Sequence, residues 1–396
     1  MGAGVSLVPV AEALSRLFAL VRPLGTEMVP LTEAAGRVLA GPVAARRDQP
    51  PFAASAMDGY AVRRDEARPG ARFDVIGESA AGHAFSGLVG PGQAVRIFTG
   101  APVPEGATRV VIQEDTVRDG DAIGLTDALG EGLNIRPAGA DFRTGATLGG
   151  PRRLTPSDVA LLAAMNVPEV EVARQPEVAL LATGDELVPP GEEPGPDQII
   201  ASNSYGLHAL LRQLGARPRL LPIAGDSLDS LSCSFDLAAD ADLLVTIGGA
   251  SVGDHDLVAA AAEGRGMERA FYKVAMRPGK PLMAGRLGDA MMIGLPGNPV
   301  SAMVCGHVFV APVIAAMQGL PAGPAPRRTA TLGAPLAANG PREHYLRART
   351  TPQGVIAFDK QDSSLLSVLA EADCLIVQPP GDPAHAAGDT VEVIDL

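Results

Sequence analysis

The chain has 396 residues, of which 46% are hydrophobic and 19% are charged, and a chain of this size is expected to form two to four domains. Its formal net charge of −13 argues against a nucleic-acid or anionic-membrane surface, because phosphate polymers require clustered Lys and Arg. Cys233, Cys305 and Cys374 are odd in number and far apart, so we expect buried thiols in a reducing compartment rather than a disulfide or metal framework.

The sequence contains no clear pattern for export or for a membrane span. Residues 1–10 lack a basic segment followed by an apolar one, so no signal peptide is indicated. The most apolar window, residues 300–317, contains His307 and Pro312 and is shorter than the roughly 20 residues that span a bilayer. We interpret this window as a buried helix and expect a cytoplasmic protein without membrane contact.

The N-terminal third of the chain combines helical segments with a β-rich stretch. Residues 7–40 are predicted to be helical, with Val10, Leu14 and Leu17 on one face and a second helix at residues 31–39. A further helix is predicted at residues 154–166, because Thr155 and Pro156 form a good helix start. Between them, short apolar runs broken by Gly and Pro predict strands. The expected domains are a helical linking domain (1–45 and 146–175) and an inserted β domain (46–145).

Strand and helix patterns then alternate along the chain. Strands are predicted at residues 178–182, 219–223 and 243–247, separated by amphipathic helices that follow Asn203 and Ser227. This alternation predicts a doubly wound parallel sheet with right-handed crossovers. Ligands of such sheets bind beyond the carboxyl ends of the strands.

The C-terminal part of the chain again has short strand-like pieces after a segment rich in Pro and Gly at residues 319–328. The fold class is therefore multidomain α/β plus β. The two remaining expected domains are the central α/β domain (176–325) and a C-terminal β domain (326–396).

Two loops of the predicted inserted domain carry candidate residues. Asp58 lies in the sequence SAMDGYA (residues 55–61), where an acid followed by glycine is typical of a turn as well as of a functional site. Thr99 lies in a comparable loop, where its hydroxyl could merely cap a strand.

Two glycine-rich loops follow strands of the central domain. The sequence TGDEL begins at Thr183, and its acids are either helix caps or site residues. The sequence GGASVGDHD (residues 248–256) resembles an anion-binding loop, with Gly248, Gly249, Gly253 and Ser251 as the expected donors. Its acids, Asp254 and Asp256, suit Mg²⁺, which takes one or two carboxylates and bridges substrate phosphates. His255 is either a ligand or a solvent-facing side chain.

Positive charge is concentrated in residues 273–281, here named the cation loop. Lys273, Arg277 and Lys280 flank a Pro-Gly turn and form either a solvated turn or a clamp for an oxyanion. The later sequence LPGNPVS (residues 294–301) has two prolines that stiffen it. Its Ser301 is predicted near a helix N-terminus, a favourable place for an anion.

These motifs, in this order, resemble those of molybdopterin molybdenumtransferases, the bacterial counterparts of the gephyrin E domain. The resemblance covers nearly the whole chain. It implies four domains in an elongated homodimer, and a reaction that inserts molybdenum from molybdate into adenylyl-molybdopterin and releases AMP. It implies Mg²⁺ as cofactor and, as partners, proteins that supply molybdopterin or accept the finished cofactor.

The resemblance also implies roles for individual residues. Catalytic roles are implied for Asp58, Glu186, Asp226, Asp256, Lys273 and Lys280, and substrate-binding roles for Thr99, Arg277, Pro296, Pro299, Arg347 and Ser367, with Ser363 or Ser364 as alternatives to the last. The expected metal ligands are the acids that follow the strand ends, namely Glu186, Asp226, Asp254 and Asp256. The family commonly has Lys where this chain has Arg277, so a planar fork replaces a point charge.

Two other functions remain open on the sequence: a molybdopterin adenylyltransferase and a pterin-binding scaffold without turnover. The β-rich segments and the Asp58 motif favour the insertion enzyme, because an adenylyltransferase domain alone needs neither. The sequence does not distinguish molybdate from tungstate.

Overall fold

The structure is a computed structural model that describes residues 7–249 and 257–396. The chain divides into two compact units. One, the α/β unit, comprises Met1–Glu27, Gly36–Val38 and Ala173–Leu396. The other, the β unit, comprises Met28–Ala35 and Leu39–Val172.

The central sheet of the α/β unit has six strands. Four are parallel, as predicted, and the last two in the sheet, which were not predicted, run antiparallel to their neighbours. Gly288, with φ of 59°, forms a tight turn between two of these strands, and a hairpin of this kind produces antiparallel pairing. In spatial order the strands are Arg217–Leu220, Glu177–Ala182, Leu243–Ile247, Ala290–Leu295, Met283–Leu287 and Glu268–Tyr272.

Helices cover both faces of this sheet, which confirms the doubly wound arrangement. Along one strand, Val178 and Leu180 lie in one apolar core, while Ala179 and Leu181 lie in another. The first core contains residues of the helices Val10–Leu20, Ser202–Gln213 and Pro299–Met317, and the second contains residues of Leu228–Leu237 and Leu257–Gly264.

The helix Pro299–Met317 is built from Pro299–Cys305, a π-helical turn Gly306–Val310 and Ala311–Met317. By length and composition alone it is apolar enough to cross a membrane, yet 78% of it is buried within the protein. Its packing against the central sheet agrees with the prediction of a core helix.

The C-terminal part of the α/β unit forms a second sheet around its own core. The predicted strands of the tail are present, but the longest strand of this sheet, Glu343–Thr351, was not predicted. It pairs in parallel with a short strand of the cation loop. The sheet order is Met276–Arg277, Glu343–Thr351, Cys374–Gln378, Thr390–Asp395 and Arg328–Thr331, with Gly354–Ala357 beside Glu343–Thr351 and a short helix at Leu366–Ala370.

The β unit contains the predicted small β module. Its main sheet has six strands, in the order Arg109–Ile112, Gly59–Val62, Gln93–Ile97, Arg72–Ser79, Ala122–Leu125 and Thr116–Asp119. The capping box of Thr155 and Asp158 begins its helix, Pro156–Ala164, as predicted. Single 3-10 turns lie at Leu31–Glu33 and Gln113–Asp115. The shorter strands of the chain are Thr26–Pro30, Val38–Leu39, Val43–Ala44, Ala54–Ser55, Ile135–Arg136, Thr147–Leu148, Arg152–Arg153, Glu169–Ala173, Leu187–Val188 and Ile199–Ile200.

Two predictions about the N-terminal region and the thiols are wrong. Residues 31–39 form a 3-10 turn and a strand rather than a helix, because Gly36 adopts φ of 77° between them. The helix Val10–Leu20 packs in the α/β core, whereas Leu162 of the helix Pro156–Ala164 packs in a core of the β unit together with Val29 and Leu39, and the linking domain stays a prediction. Cys233 is exposed, and only the other two thiols are buried.

Candidate functional site

A cleft of about 860 Å³ lies at the carboxyl edge of the central sheet. Its lining comes from the loops that follow three adjacent parallel strands and from the start of the helix Ser202–Gln213. The chain leaves the strand Glu177–Ala182 toward one side of the sheet and the strand Leu243–Ile247 toward the other, so the cleft lies at the topological switch point, where ligands of such folds bind. The candidates that line it are Thr183, Glu186, Asp226, Gly248, Gly249, Pro296 and Pro299.

Thr183 and two glycines form the floor of the cleft. Thr183 is only 3% exposed, and its Oγ1 has no hydrogen-bond partner among the described residues. A Cβ at Gly248 would lie 2.6 Å from the Thr183 carbonyl oxygen, and one at Gly249 would lie 2.2 Å from Val258 Cγ2. Both glycines also have positive φ. Side chains are therefore excluded here, which leaves the backbone and one buried hydroxyl facing the cleft.

Glu186 and Asp226 supply the negative charge of the cleft wall. Within the described part of the chain, neither carboxylate forms an ion pair. Asp185 Oδ1 accepts a hydrogen bond from the Asp226 backbone N–H at 3.0 Å, which joins the loops after two neighbouring strands. Two unpaired carboxylates in one cleft suit a hard cation with oxygen ligands.

Part of the glycine-rich loop at residues 248–256 lies outside the described residues. The candidates that fall there are Ser251, Gly253, Asp254, His255 and Asp256. In the part that is described, no group of three or more His, Cys, Asp or Glu side chains is arranged to hold a metal ion.

The proline-containing loop at residues 296–299 closes the opposite wall of the cleft. Asn203 Nδ2 donates a hydrogen bond to the Gly297 carbonyl oxygen at 2.7 Å, which ties this loop to the first turn of the helix Ser202–Gln213. Ser301 is buried behind the loop and does not line the cleft. Its contact with an anion stays a prediction.

The structure separates the three candidate serines of the tail. Ser364 lines the cleft, and its hydroxyl donates to Asp362 Oδ1 at 2.6 Å. Ser363 Oγ accepts a hydrogen bond from Asn298 Nδ2 at 3.1 Å. Ser367 is exposed on the helix Leu366–Ala370 and does not line the cleft. The geometry thus favours Ser364, with Ser363 beside it, over Ser367.

The cation loop is folded tightly rather than fully solvated. Lys273 has φ of 68°, a conformation that is unusual for a residue with a side chain, and its Nζ lies 4.7 Å from the centre of the Tyr272 ring. The Val274 N–H donates to the Lys280 carbonyl oxygen at 3.0 Å. Arg277 is exposed, and Lys280 is half-buried. Among the described residues, no carboxylate lies within ion-pair distance of any of these three cations.

Arg347 lies on the strand Glu343–Thr351, which pairs with the cation loop. Its side chain is 0% exposed, and its Nε and Nη1 have no hydrogen-bond partner among the described residues. Burial lowers the pKa of Arg347, the Asp362 charge raises it, and the Arg277 charge lowers it. The pKa of neighbouring His344 falls to about 4, through burial and then the charges of Arg277, Arg347 and Arg342. A buried positive charge with free donors is the environment that an anion would stabilise.

Asp58 and Thr99 form a pair in the β unit. Asp58 Oδ1 accepts two hydrogen bonds of 2.7 Å, from the backbone N–H and from the hydroxyl of Thr99. These bonds lower the pKa of Asp58, first through the Thr99 N–H and then through its hydroxyl. Both residues are exposed, so the carboxylate is ionised and accessible.

Asn203 and Ser204 are polar cleft residues that were not predicted to belong to the site. Asn203 was seen only as a helix start, and Ser204 was not singled out, although it is 7% exposed and its Oγ has no partner among the described residues. Both line the cleft. The polar run of Ser202, Asn203 and Ser204 at a predicted helix start was the available signal.

Comparison with known proteins agrees with this architecture. Three family models match: "MoeA N-terminal region (domain I and II)" over residues 8–166, "Probable molybdopterin binding domain" over 179–316, and "MoeA C-terminal region (domain IV)" over 329–396. The fold and the cleft thus define a multidomain protein organised around a domain of the molybdopterin-binding type.

Individual relatives place the chain more closely. It is 38% identical over 382 residues to molybdopterin molybdenumtransferase 2 of Mycobacterium tuberculosis, covering 93% of this chain and 94% of that protein. It is 36% identical over 387 residues to molybdopterin molybdenumtransferase of Nostoc sp., covering 94% and 89%. The crystal structure of the molybdopterin biosynthesis moeA protein of Pyrococcus horikoshii OT3 matches with a TM-score of 0.85 at 27% identity, covering 99% and 100%. The chain belongs to the molybdopterin molybdenumtransferase family.

Proposed function

We propose that this protein is a transferase that inserts molybdenum from molybdate into adenylyl-molybdopterin, releasing AMP and forming molybdenum cofactor. The observation that carries the proposal is Arg347, a fully buried guanidinium with two unpartnered nitrogens beside a cation loop that has no acidic partner among the described residues. A protein with a net charge of −13 keeps such a cluster most readily if it binds an anion. Molybdate is a dianion of suitable chemistry.

The proposed division of roles follows the distribution of charge. Lys273, Arg277, Lys280 and Arg347 neutralise the oxyanion and the substrate phosphates. Ser364 lines the cleft, and its hydroxyl contacts the oxyanion by turning away from Asp362. Thr183 and the backbone at Gly248 and Gly249 contact the nucleotide part of the substrate in the cleft. The substrate's own dithiolene provides the sulfur ligands of the metal, so the protein positions reactants and stabilises charge.

We further propose that the reaction depends on Mg²⁺. Glu186 and Asp226 fit this ion because they line the cleft without an ion-pair partner in the described chain, and Asp254 and Asp256 are expected to contribute. When bound, Mg²⁺ would neutralise phosphate charge and favour AMP as the leaving group.

The alternative activity, adenylylation of molybdopterin, is not favoured. The chain is similar to molybdopterin molybdenumtransferases over nearly its whole length, including the β unit and the C-terminal sheet. An adenylyltransferase would not need the Asp58–Thr99 pair or Arg347.

The test is incubation of the purified chain with adenylyl-molybdopterin and Mg²⁺, with molybdate, tungstate or neither, while AMP release is followed. Molybdate-dependent AMP release that EDTA abolishes and excess Mg²⁺ restores is the expected result. A parallel reaction with molybdopterin and ATP tests the adenylyltransferase. If none of these reactions releases AMP, the insertion activity is rejected and a pterin-binding scaffold without turnover remains.

We also propose a cytoplasmic homodimer that receives its substrate from a molybdopterin-supplying protein and passes the product to a cofactor-accepting protein. Light scattering on the purified chain tests the dimer, and fractionation of the native host tests the location. A monomeric mass at micromolar concentration would contradict the dimer.

A further inference from the structure

Arg96 occupies a position in the β unit that the roles above do not explain. Its guanidinium contacts two aromatic rings, 5.1 Å from the centre of the Tyr60 ring and 4.7 Å from that of Phe98. Its Nη1 donates to the Gly59 carbonyl oxygen at 3.2 Å, and its Nη2 donates to Gln113 Oε1 at 2.9 Å. Two rings and two acceptors hold one planar cation in a single orientation.

Three of the residues that Arg96 contacts lie next to Asp58 or Thr99 in the chain or are hydrogen-bonded to Asp58. Gly59 directly follows Asp58, and Phe98 directly precedes Thr99. The third contact, Gln113, donates its backbone N–H to the Asp58 carbonyl oxygen at 3.1 Å. Arg96 therefore contacts the chain next to each member of the pair and supports a residue that is bonded to Asp58 itself.

The local backbone leaves few other ways to hold the pair. Gly59 and Ile97 are opposite each other in antiparallel strands, so Asp58 and Thr99 lie just beyond the ends of the paired residues. A Cβ at Gly59 would lie 1.9 Å from the Val111 carbonyl oxygen, so the chain is confined on the other side. Thr99 is followed by Gly100 with φ of 81°. The geometry of the pair thus depends on the two strand ends remaining together.

We propose that Arg96 is a positioning residue that holds Asp58 and Thr99 in register, so that Thr99 keeps both of its donors on one Asp58 oxygen and the other oxygen stays free to act. The inference rests on the proposed function for the statement that Asp58 takes part in the reaction. The Arg96 charge also favours the ionised form of Asp58, as the smallest of the contributions to its lowered pKa.

The experiment compares Arg96→Gln, Arg96→Lys and the wild-type full chain. The pKa of the Asp58 carboxyl is measured by carbon-detected NMR of aspartate-labelled protein, with Asp58→Asn used to assign its signal. The kcat and KM of molybdate-dependent AMP release and the melting temperature are measured on the same samples. The pKa readout does not require turnover, so it tests the inference even if the proposed activity is absent.

Arg96→Gln is expected to raise the pKa of Asp58 and to lower kcat about tenfold with little change in the KM for molybdate, because the change misplaces the reacting group and leaves molybdate binding intact. Arg96→Lys keeps the charge without the planar fork, so it should restore most of the pKa and part of kcat. Arg72→Gln is the matched control, since Arg72 lies on the same sheet, is exposed and pairs with Asp119. It should change neither quantity.

A lower melting temperature for Arg96→Gln with an unchanged Asp58 pKa and kcat would show a purely structural brace and overturn the proposal. If Arg96→Gln does not fold, Phe98→Leu replaces it, because that change removes one ring and keeps the charge. A smaller change in kcat in the same direction is then expected, and wild-type kcat in a folded Phe98→Leu protein would also overturn the inference.

Discussion

Asn298 Nδ2 donates a hydrogen bond to Ser363 Oγ at 3.1 Å, and the backbone N–H of Val300 donates to the Ser363 carbonyl oxygen at 3.0 Å. Through these two bonds the start of the helix Pro299–Met317 fixes a segment of the C-terminal region beside the cleft. The next residue, Ser364, then lines the cleft. The central domain therefore determines which tail serine is available to a ligand.

We expect Ser364→Ala to raise the KM for molybdate about fivefold to tenfold, which corresponds to the loss of one hydrogen bond with a net contribution of about 1 kcal/mol. Ser367→Ala should leave the KM within twofold of wild type, since Ser367 is exposed and does not line the cleft. The measurement is molybdate-dependent AMP release over a molybdate titration. The reverse order of effects would show that Ser367 is the functional serine.

Arg347 should separate stability from activity. Arg347→Met removes a buried charge whose Nε and Nη1 have no hydrogen-bond partner among the described residues, so we expect an unchanged or higher melting temperature. The same change should lower kcat/KM for molybdate by at least about tenfold, since it removes a cationic donor to the oxyanion. Arg349→Met, two residues along the strand at an exposed position, is the control and should leave kcat/KM unchanged. A destabilised but fully active Arg347→Met protein would argue for a structural role.

The glycine-rich loops of the cleft could be predicted from the sequence, whereas the burial of Arg347 could not. Gly248, Gly249 and Thr183 follow strands that periodicity identifies, and parallel strands place their carboxyl ends at one edge, so the cleft was predictable. The burial of Arg347 was not, because it depends on the unpredicted strand Glu343–Thr351 and its pairing with the cation loop. Charge alone suggests exposure.

Contacts between distant residues were equally inaccessible to the sequence. Asp58 and Thr99 are 41 positions apart, and the local sequence around each predicts only a turn. Only the antiparallel pairing of Gly59 with Ile97 brings them together. The hairpin at Gly288 was missed for a related reason, since a single glycine between apolar runs is compatible with many turns.

His344 should make stability depend on pH in a defined window. Its pKa is about 4 in the folded protein, against an ordinary value of 6.5, because of burial and the charges of Arg277, Arg347 and Arg342. Between these values the unfolded chain binds a proton that the folded chain does not, so the free energy of unfolding decreases as pH falls from 6.5 to 4. His344→Gln should lose this contribution. Urea unfolding at several pH values would show it, and parallel curves for the two proteins would contradict it.

The capping box of the helix Pro156–Ala164 provides a test within the β unit. Asp158 Oδ2 accepts hydrogen bonds from the N–H and the hydroxyl of Thr155, both at 2.8 Å, and Asp158 Oδ1 lies 3.0 Å from Arg152 Nη2. These contacts, led by the Thr155 N–H, lower the pKa of Asp158 from its usual 3.8 despite the opposing effect of burial. The carboxylate therefore stabilises the fold above that value, and the stabilisation is lost as pH falls through the lowered pKa.

Thr155→Ala should reduce the free energy of unfolding by about 1 kcal/mol at pH 7, because a donor and an acceptor of the box are removed together. The difference from wild type should shrink at pH values below the folded pKa of Asp158, where the acid is protonated in both proteins. Ser157→Ala is the control in the same turn, since that side chain is exposed and outside the box. Urea unfolding of the three proteins at pH 7 and at acid pH provides the measurement. An equal loss of stability for Ser157→Ala would contradict the prediction, because that change raises helix propensity and removes no contact of the box.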